Sequence, residues 1–108
     1  INIIESKQYQ KDYKKIIISK NLHREAEKIE NIKSIIYNCE NMHTLITNPI
    51  SKLYYIEKKS GNLKEYYTAR LNNKIRLIMK PIATYPYNLI EITEIEFVNI
   101  NNDHYKEG

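Results

Sequence analysis

Tryptophan is absent from this sequence, and phenylalanine and cysteine each occur once. A single thiol, Cys39, cannot close an intramolecular disulfide or supply a multi-cysteine zinc site. It reads as a small buried apolar residue in a reducing compartment. Only two glycines and three prolines punctuate 108 residues, and no segment repeats or reads as a low-complexity linker. No run approaches the roughly 20 apolar residues that cross a bilayer. The longest apolar run near the start, Ile16-Ile17-Ile18, sits among lysines and is not a signal-peptide pattern. These absences point to a cytoplasmic protein with no membrane partner.

What is present is tyrosine, ten in all, so most of the aromatic bulk carries a hydroxyl that can meet water, a base or a phosphate. Apolar residues make up 42% and charged residues 28%, ordinary values for a globular chain, and residues 1–108 are expected to form one domain. The net charge of +4 is a mild excess that favours an anionic partner.

The first residues, Ile1 to Ile4, are short and β-prone. Ser6 then offers an N-cap to a helix whose apolar face is Tyr9, Tyr13, Ile16 and Ile17. Lys7, Lys11, Lys14 and Lys15 form its opposite, solvated face. A second helix is expected from about Asn21 or Leu22, with Asn21 as cap and a stripe of Ala26, Ile29, Ile32, Ile35, Ile36 and Cys39. Between Met42 and Gly61 the pattern weakens. Asn48-Pro49 marks a break, and Lys58-Lys59-Ser60-Gly61 reads as a turn. Alternation follows, with Tyr67, Ala69 and Leu71 on one face and Tyr66, Thr68 and Arg70 on the other. The next strand puts Ile75, Leu77 and Met79 inward and Arg76, Ile78 and Lys80 outward. A last strand is expected from about Tyr87 to Ile100, with a bulge near Thr93–Glu94 where its apolar phase slips. The fold class is α+β: a short N-terminal strand, a two-helix hairpin, then an antiparallel three-stranded meander with the helices on one sheet face.

Parity decides the register of the hairpin. A two-residue loop would mix the apolar and polar faces. A three-residue loop, Asn72-Asn73-Lys74, sets Ala69 against Leu77 and Tyr67 against Met79, and it calls for a left-handed residue that asparagine tolerates. The same register places Arg70 opposite Arg76. Like charges across a strand pair cost up to about 1 kcal/mol. Either each arginine pairs with a nearby glutamate on a solvated face, or the two guanidinium forks are kept to bind phosphate.

The segment from Gly61 through Tyr66-Tyr67-Thr68-Ala69-Arg70 to Lys74-Ile75-Arg76-Leu77-Ile78 resembles the RelE/ParE toxin superfamily, and most of all its HigB-type branch. The opening Ser6-Lys7-Gln8-Tyr9 helix and the tail Asp103-His104-Tyr105 add to the likeness, which runs the length of the chain in order. The resemblance implies a RelE-like, microbial-ribonuclease-type fold. It also implies the toxin of a type II toxin–antitoxin pair, an endoribonuclease that cuts messenger RNA on the ribosome without a metal or other cofactor. Its partners would be a cognate helix-turn-helix antitoxin and mRNA in the ribosomal A site. Contacts to 16S rRNA suit the lysine face, and operator DNA would be reached only through the antitoxin. Carried over by position, Arg70 and Arg76 hold the scissile phosphate, and His104 and Tyr105 form the terminal catalytic pair. Lys59 or Lys64 supplies a further cation, since Ser60 stands where the family often has lysine. The order His-Tyr reverses the commoner one and leaves open which of the two is acid or base.

The chemistry suits those residue types. RNA cleavage by the 2′-hydroxyl needs a base, cations for the charge on phosphorus and an acid for the leaving oxygen. His104 titrates near neutrality without help, the arginines supply preorganised charge, and Asp103 is placed to orient His104. Tyr105 can stack or donate, though its ordinary pKa near 10 limits unaided proton transfer. His23, at a helix start, and His43, in a loop, read as surface residues. With one cysteine they show no metal-ligand spacing. The alternative, from a different class, is a non-enzymatic inhibitor of DNA gyrase like the ParE branch, which shares the fold and generally lacks the terminal histidine.

Overall fold

In a computed structural model, residues 1–102 are described. A strand β1 (Asn2–Glu5) leads into helices α1 (Lys7–Ile18), α2 (His23–Asn38) and α3 (Met42–Thr47). A 3₁₀ helix (Pro49–Tyr54) connects these to β2 (Glu57–Lys58), β3 (Tyr67–Arg70), β4 (Ile75–Pro81) and β5 (Glu94–Asn102). The sheet has the order β1-β5-β4-β3-β2, so the expected meander is flanked by one further strand on each side. The N-terminal strand pairs in parallel with β5, from Asn2↔Glu94 to Glu5↔Phe97.

Ser6 caps α1 as expected, accepting from the Tyr9 N–H at 3.0 Å. The inward face of α1 is narrower than the spacing predicts. Tyr9 and Ile16 are buried, but Ile17, turned to the edge of that face, is 48% exposed. Helix α2 does not use the expected cap. Its N-cap position falls on Leu22, without a side-chain bond, while the Asn21 N–H bonds the Ser19 hydroxyl before the helix. Its stripe behaves as read, with Ile29, Ile32, Ile36 and Cys39 buried. The weak stretch after Met42 holds helix α3, too short for its Met42–Leu45 pair to reveal a period. Asn41 caps it at 2.9 Å from the Thr44 N–H. His43 therefore lies on a helix rather than in a loop, and it is exposed.

Both helix faces close on one side of the sheet. Tyr67, Ala69, Leu71, Ile75, Leu77, Met79, Ile95 and Phe97 meet them in a single core. Tyr9 packs edge-to-face on Phe97, 5.2 Å between centroids, and stacks on Tyr13 at 5.8 Å. Lys33 of α2 lies 5.8 Å from the Tyr9 ring centroid and bonds Glu5 at 2.6 Å, tying helix to strand.

The hairpin register is the one parity requires: Tyr67↔Met79, Ala69↔Leu77 and Arg70↔Arg76. The turn itself differs. No residue of Asn72-Asn73-Lys74 adopts a left-handed conformation. Instead the Asn72 side-chain oxygen accepts from the N–H groups of Lys74 (2.7 Å) and Ile75 (2.8 Å), closing the turn from outside the backbone. The Asn72 amide donates to buried Glu25 at 2.9 Å, and Lys28 bonds the Leu71 carbonyl at 2.9 Å, so α2 holds the turn.

The last strand starts later than expected, at Glu94 rather than Tyr87, and its bulge lies at Val98, not Thr93–Glu94. Ile78 pairs with Asn99 and Met79 with Phe97, leaving Val98 as the extra residue. The phase slip at Thr93–Glu94 marks the passage from loop to strand. Beyond Phe97 the β1 side of β5 has no strand partner, and helix α1 supplies the bonds. Ser6 Oγ donates to the Val98 carbonyl at 2.6 Å, and Asp12 accepts from the Ile100 N–H at 2.9 Å.

Two outcomes follow. Asn72→Ala removes the turn bonds and strands a buried carboxylate, so it should cost about 2 kcal/mol in urea unfolding. Asn73→Ala, in the same turn but exposed, should cost no more than about 0.5 kcal/mol. The tyrosines set the alkaline limit. Burial above all raises the phenols of Tyr9, Tyr13, Tyr67 and Tyr87. Tyr13 and Tyr87 are pushed up to about 12. The folded state thus holds the neutral phenol. That stabilisation is complete below the ordinary value near 10 and is lost as pH rises through 12. Spectrophotometric titration should show these tyrosinates forming late, together with unfolding.

Candidate active site

The face of the sheet opposite the helices carries the charged residues. Alternation along β3 and β4 turns Thr68, Arg70, Arg76, Ile78 and Lys80 outward. The Val98 bulge brings Asn99 and Asn101 of β5 onto the same face, opposite Ile78 and Arg76. Two adjoining clefts of about 320 and 530 Å³ lie on this face, and both are lined by Lys59, Leu63, Thr68 and Arg76. Tyr66, Asn99 and Asn101 are among the residues that also line the first; Glu57, Lys58 and Arg70 are among those that also line the second.

The two arginines are directly opposed and held by different means. Arg76 Nη1 donates to the carbonyls of Asn72 (2.6 Å) and Ile75 (3.3 Å), which anchor it to the turn. Arg70 stands over a ring, its Cζ 4.0 Å from the Tyr55 centroid. No carboxylate among the described residues pairs with Arg70, so the reading in which a glutamate neutralises it does not hold there. The opposed cations are thus held locally, Arg76 by the carbonyls of the turn and Arg70 by the Tyr55 ring.

Of the two candidate lysines, Lys59 lines both clefts, its backbone N–H bonded to the Tyr66 carbonyl at 2.9 Å. Lys64 lines neither of them. Its ammonium sits 5.2 Å from the Tyr85 ring centroid. Lys80 is drawn toward Glu65, 3.9 Å away. Asp103, His104 and Tyr105 lie outside the described residues, in the segment that follows β5. Among the described residues no three of His, Cys, Asp or Glu gather where they would hold a metal ion. No described helix is long and apolar enough to cross a membrane.

Sequence reasoning turned Tyr66 and Thr68 to this face without placing them in the site, and it missed Tyr55, Asn99 and Asn101. The asparagines were legible only with the bulge in its true position. Tyr55 carries no pattern that would have singled it out.

No protein-family model matches the chain, and no curated protein does. Solved structures do resemble it. YafQ of Escherichia coli, in its complex with DinJ, superposes with a TM-score of 0.62 at 20% identity, over 99% of this chain and 98% of that one. YoeB of Staphylococcus aureus, from a YoeB–YefM toxin–antitoxin complex, gives 0.59 at 25% identity, over 94% of each chain. A YoeB/ParE toxin from Agrobacterium tumefaciens gives 0.61 at 14% identity, over 94% of this chain and 98% of that one. The likeness spans nearly the whole of each chain: this chain has the fold of the RelE/ParE toxin superfamily.

Proposed function

We propose that this protein is the toxin of a type II toxin–antitoxin system, HigB-like in its motifs, and that it cleaves messenger RNA on the ribosome in the cytoplasm. The observation that carries the reading is the opposed pair Arg70 and Arg76, set beside Lys59 on the face of the sheet away from the helices. Three cations on one concave surface suit a phosphate diester, and two of them are guanidinium forks on stiff strands. The structural neighbours add weight, since YafQ and YoeB are crystallised with the antitoxins DinJ and YefM. The partner proposed here is likewise a cognate antitoxin of helix-turn-helix type, through which the pair would reach operator DNA.

The step needs no metal in this reading. A base takes the proton of the 2′-hydroxyl, and the 2′-oxygen attacks phosphorus. The bond from phosphorus to the 5′-oxygen breaks, and an acid protonates the departing oxygen. The products are a 2′,3′-cyclic phosphate and a free 5′-hydroxyl. Arg70, Arg76 and Lys59 stabilise the charge that builds on the phosphate oxygens. His104 is the proton carrier by its ordinary pKa, with Asp103 to orient it and Tyr105 to stack or donate. Strand β5, whose Asn101 faces Arg76, leads the chain toward these residues. Lys64 serves at most the approach of RNA from the Tyr85 side.

Primer extension on mRNA after brief induction checks the reading. The wild type should give cuts in phase with codons and arrest growth. Arg76→Ala or His104→Ala should lower cleavage about a hundredfold or more with an unchanged circular dichroism spectrum. Continued cleavage by the double variant would overturn the site. Intact message with a DNA-damage response would favour the gyrase inhibitor instead.

A further inference from the structure

Tyr55 is the one residue other than glycine with a positive φ among those described, at 51°. That left-handed conformation is costly for a bulky L side chain, and helix ends that use it usually place glycine there. The fold gives a reason for the conformation. The 3₁₀ helix must stop, with the Tyr55 N–H returned to the Lys52 carbonyl, so that Ile56 can turn into the core and Glu57 can join the sheet. The side chain is not a core anchor, because the residue is 50% exposed. What the ring does touch is Arg70, whose guanidinium carbon lies 4.0 Å from its centroid.

Arg70 has little else to order it. Among the described residues its Nε is buried without a hydrogen-bond partner, and no carboxylate pairs with it. A carboxylate would order the fork but also neutralise it and occupy its N–H groups. An aromatic face attracts the cation while leaving charge and donors in place. We propose that Tyr55 is a positioning residue whose ring fixes the Arg70 guanidinium in a phosphate-ready orientation. This rests on the reading above that Arg70 binds the scissile phosphate.

The test compares Tyr55→Phe, Tyr55→Leu and Tyr55→Gly in the full chain, on ribosomes programmed with mRNA. Phe should keep the wild-type kcat. Leu should lower it about tenfold, with little change in Tm. Gly removes the ring and relieves the backbone, so its Tm should hold or rise while kcat falls as for Leu. A merely structural role would move both the same way. In an Arg70→Ala background Leu should cause no further loss. Without RNA, the Arg70 Nε–Hε resonance should carry a ring-current shift in the wild type and in Phe, and lose it in Leu.

Loss of cleavage in Arg70→Ala but not in Tyr55→Leu would overturn the positioning role alone. So would a Tyr55→Gly variant that loses stability and activity together, or an Arg70 resonance that Leu leaves unmoved. Full cleavage by Arg70→Ala would instead overturn the phosphate reading, and the positioning role with it.

Discussion

The placement of Arg70 and Arg76 opposite each other, on the sheet face away from the helices, depends on the register of one hairpin, and Asn72 braces the turn that sets it. A slip of one residue between β3 and β4 would turn one of the two strands over, so that its apolar residues faced out and its arginine faced in. Asn72 prevents it from three sides. Its oxygen closes the turn, its amide is held by Glu25, and its carbonyl receives Arg76. Since Glu25 and Lys28 belong to α2, the helical layer clamps a loop whose purpose lies on the opposite side of the sheet. Packing on one face thereby sets charge geometry on the other.

The bulge at Val98 does the matching work on β5. Ile95 and Phe97 point to the core by simple alternation, and a regular strand would continue with Asn99. The extra residue moves that inward place toward Ile100, which packs against the core, and sends Asn99 and Asn101 to the cleft. Because β1 ends where the bulge begins, α1 must satisfy the exposed strand edge, through Ser6 and Asp12. One inserted residue thus ties the shape of the cleft to the first turns of α1.

Legibility in the sequence followed the strength of periodicity. The stripe of α2 and the alternation of β3 and β4 are long enough to repeat, so helix, strands and arginine pairing are all legible in the sequence. Helix α3 and the 3₁₀ helix are too short to show a period, and they are built from caps and single burials such as Met42 and Leu45. Strand β2 has two residues. The bulge eluded the reading because Ile90 and Ile92 extend the apolar pattern backwards, and Ile90 proves 64% exposed in a loop. Asn72 was identified as a turn residue for the wrong reason, tolerance of a left-handed backbone, when its side chain does the closing. Within the site, the charges were legible because they ride on a hairpin. Tyr55 was not, because it stands at the end of a 3₁₀ helix too short to show a period.

The position of β5 carries a consequence for the order in which the molecule comes into being. It lies between β4 and β1, so the earliest strand of the chain waits for one of the latest. Pairing at that sequence separation carries a loop-closure cost that local hairpins avoid. A chain growing on a ribosome can form the arginine hairpin as soon as residue 81 has emerged. It cannot build the Asn99–Asn101 wall, or give β1 a partner, until β5 follows. The cleft is therefore completed by the same event that locks the sheet.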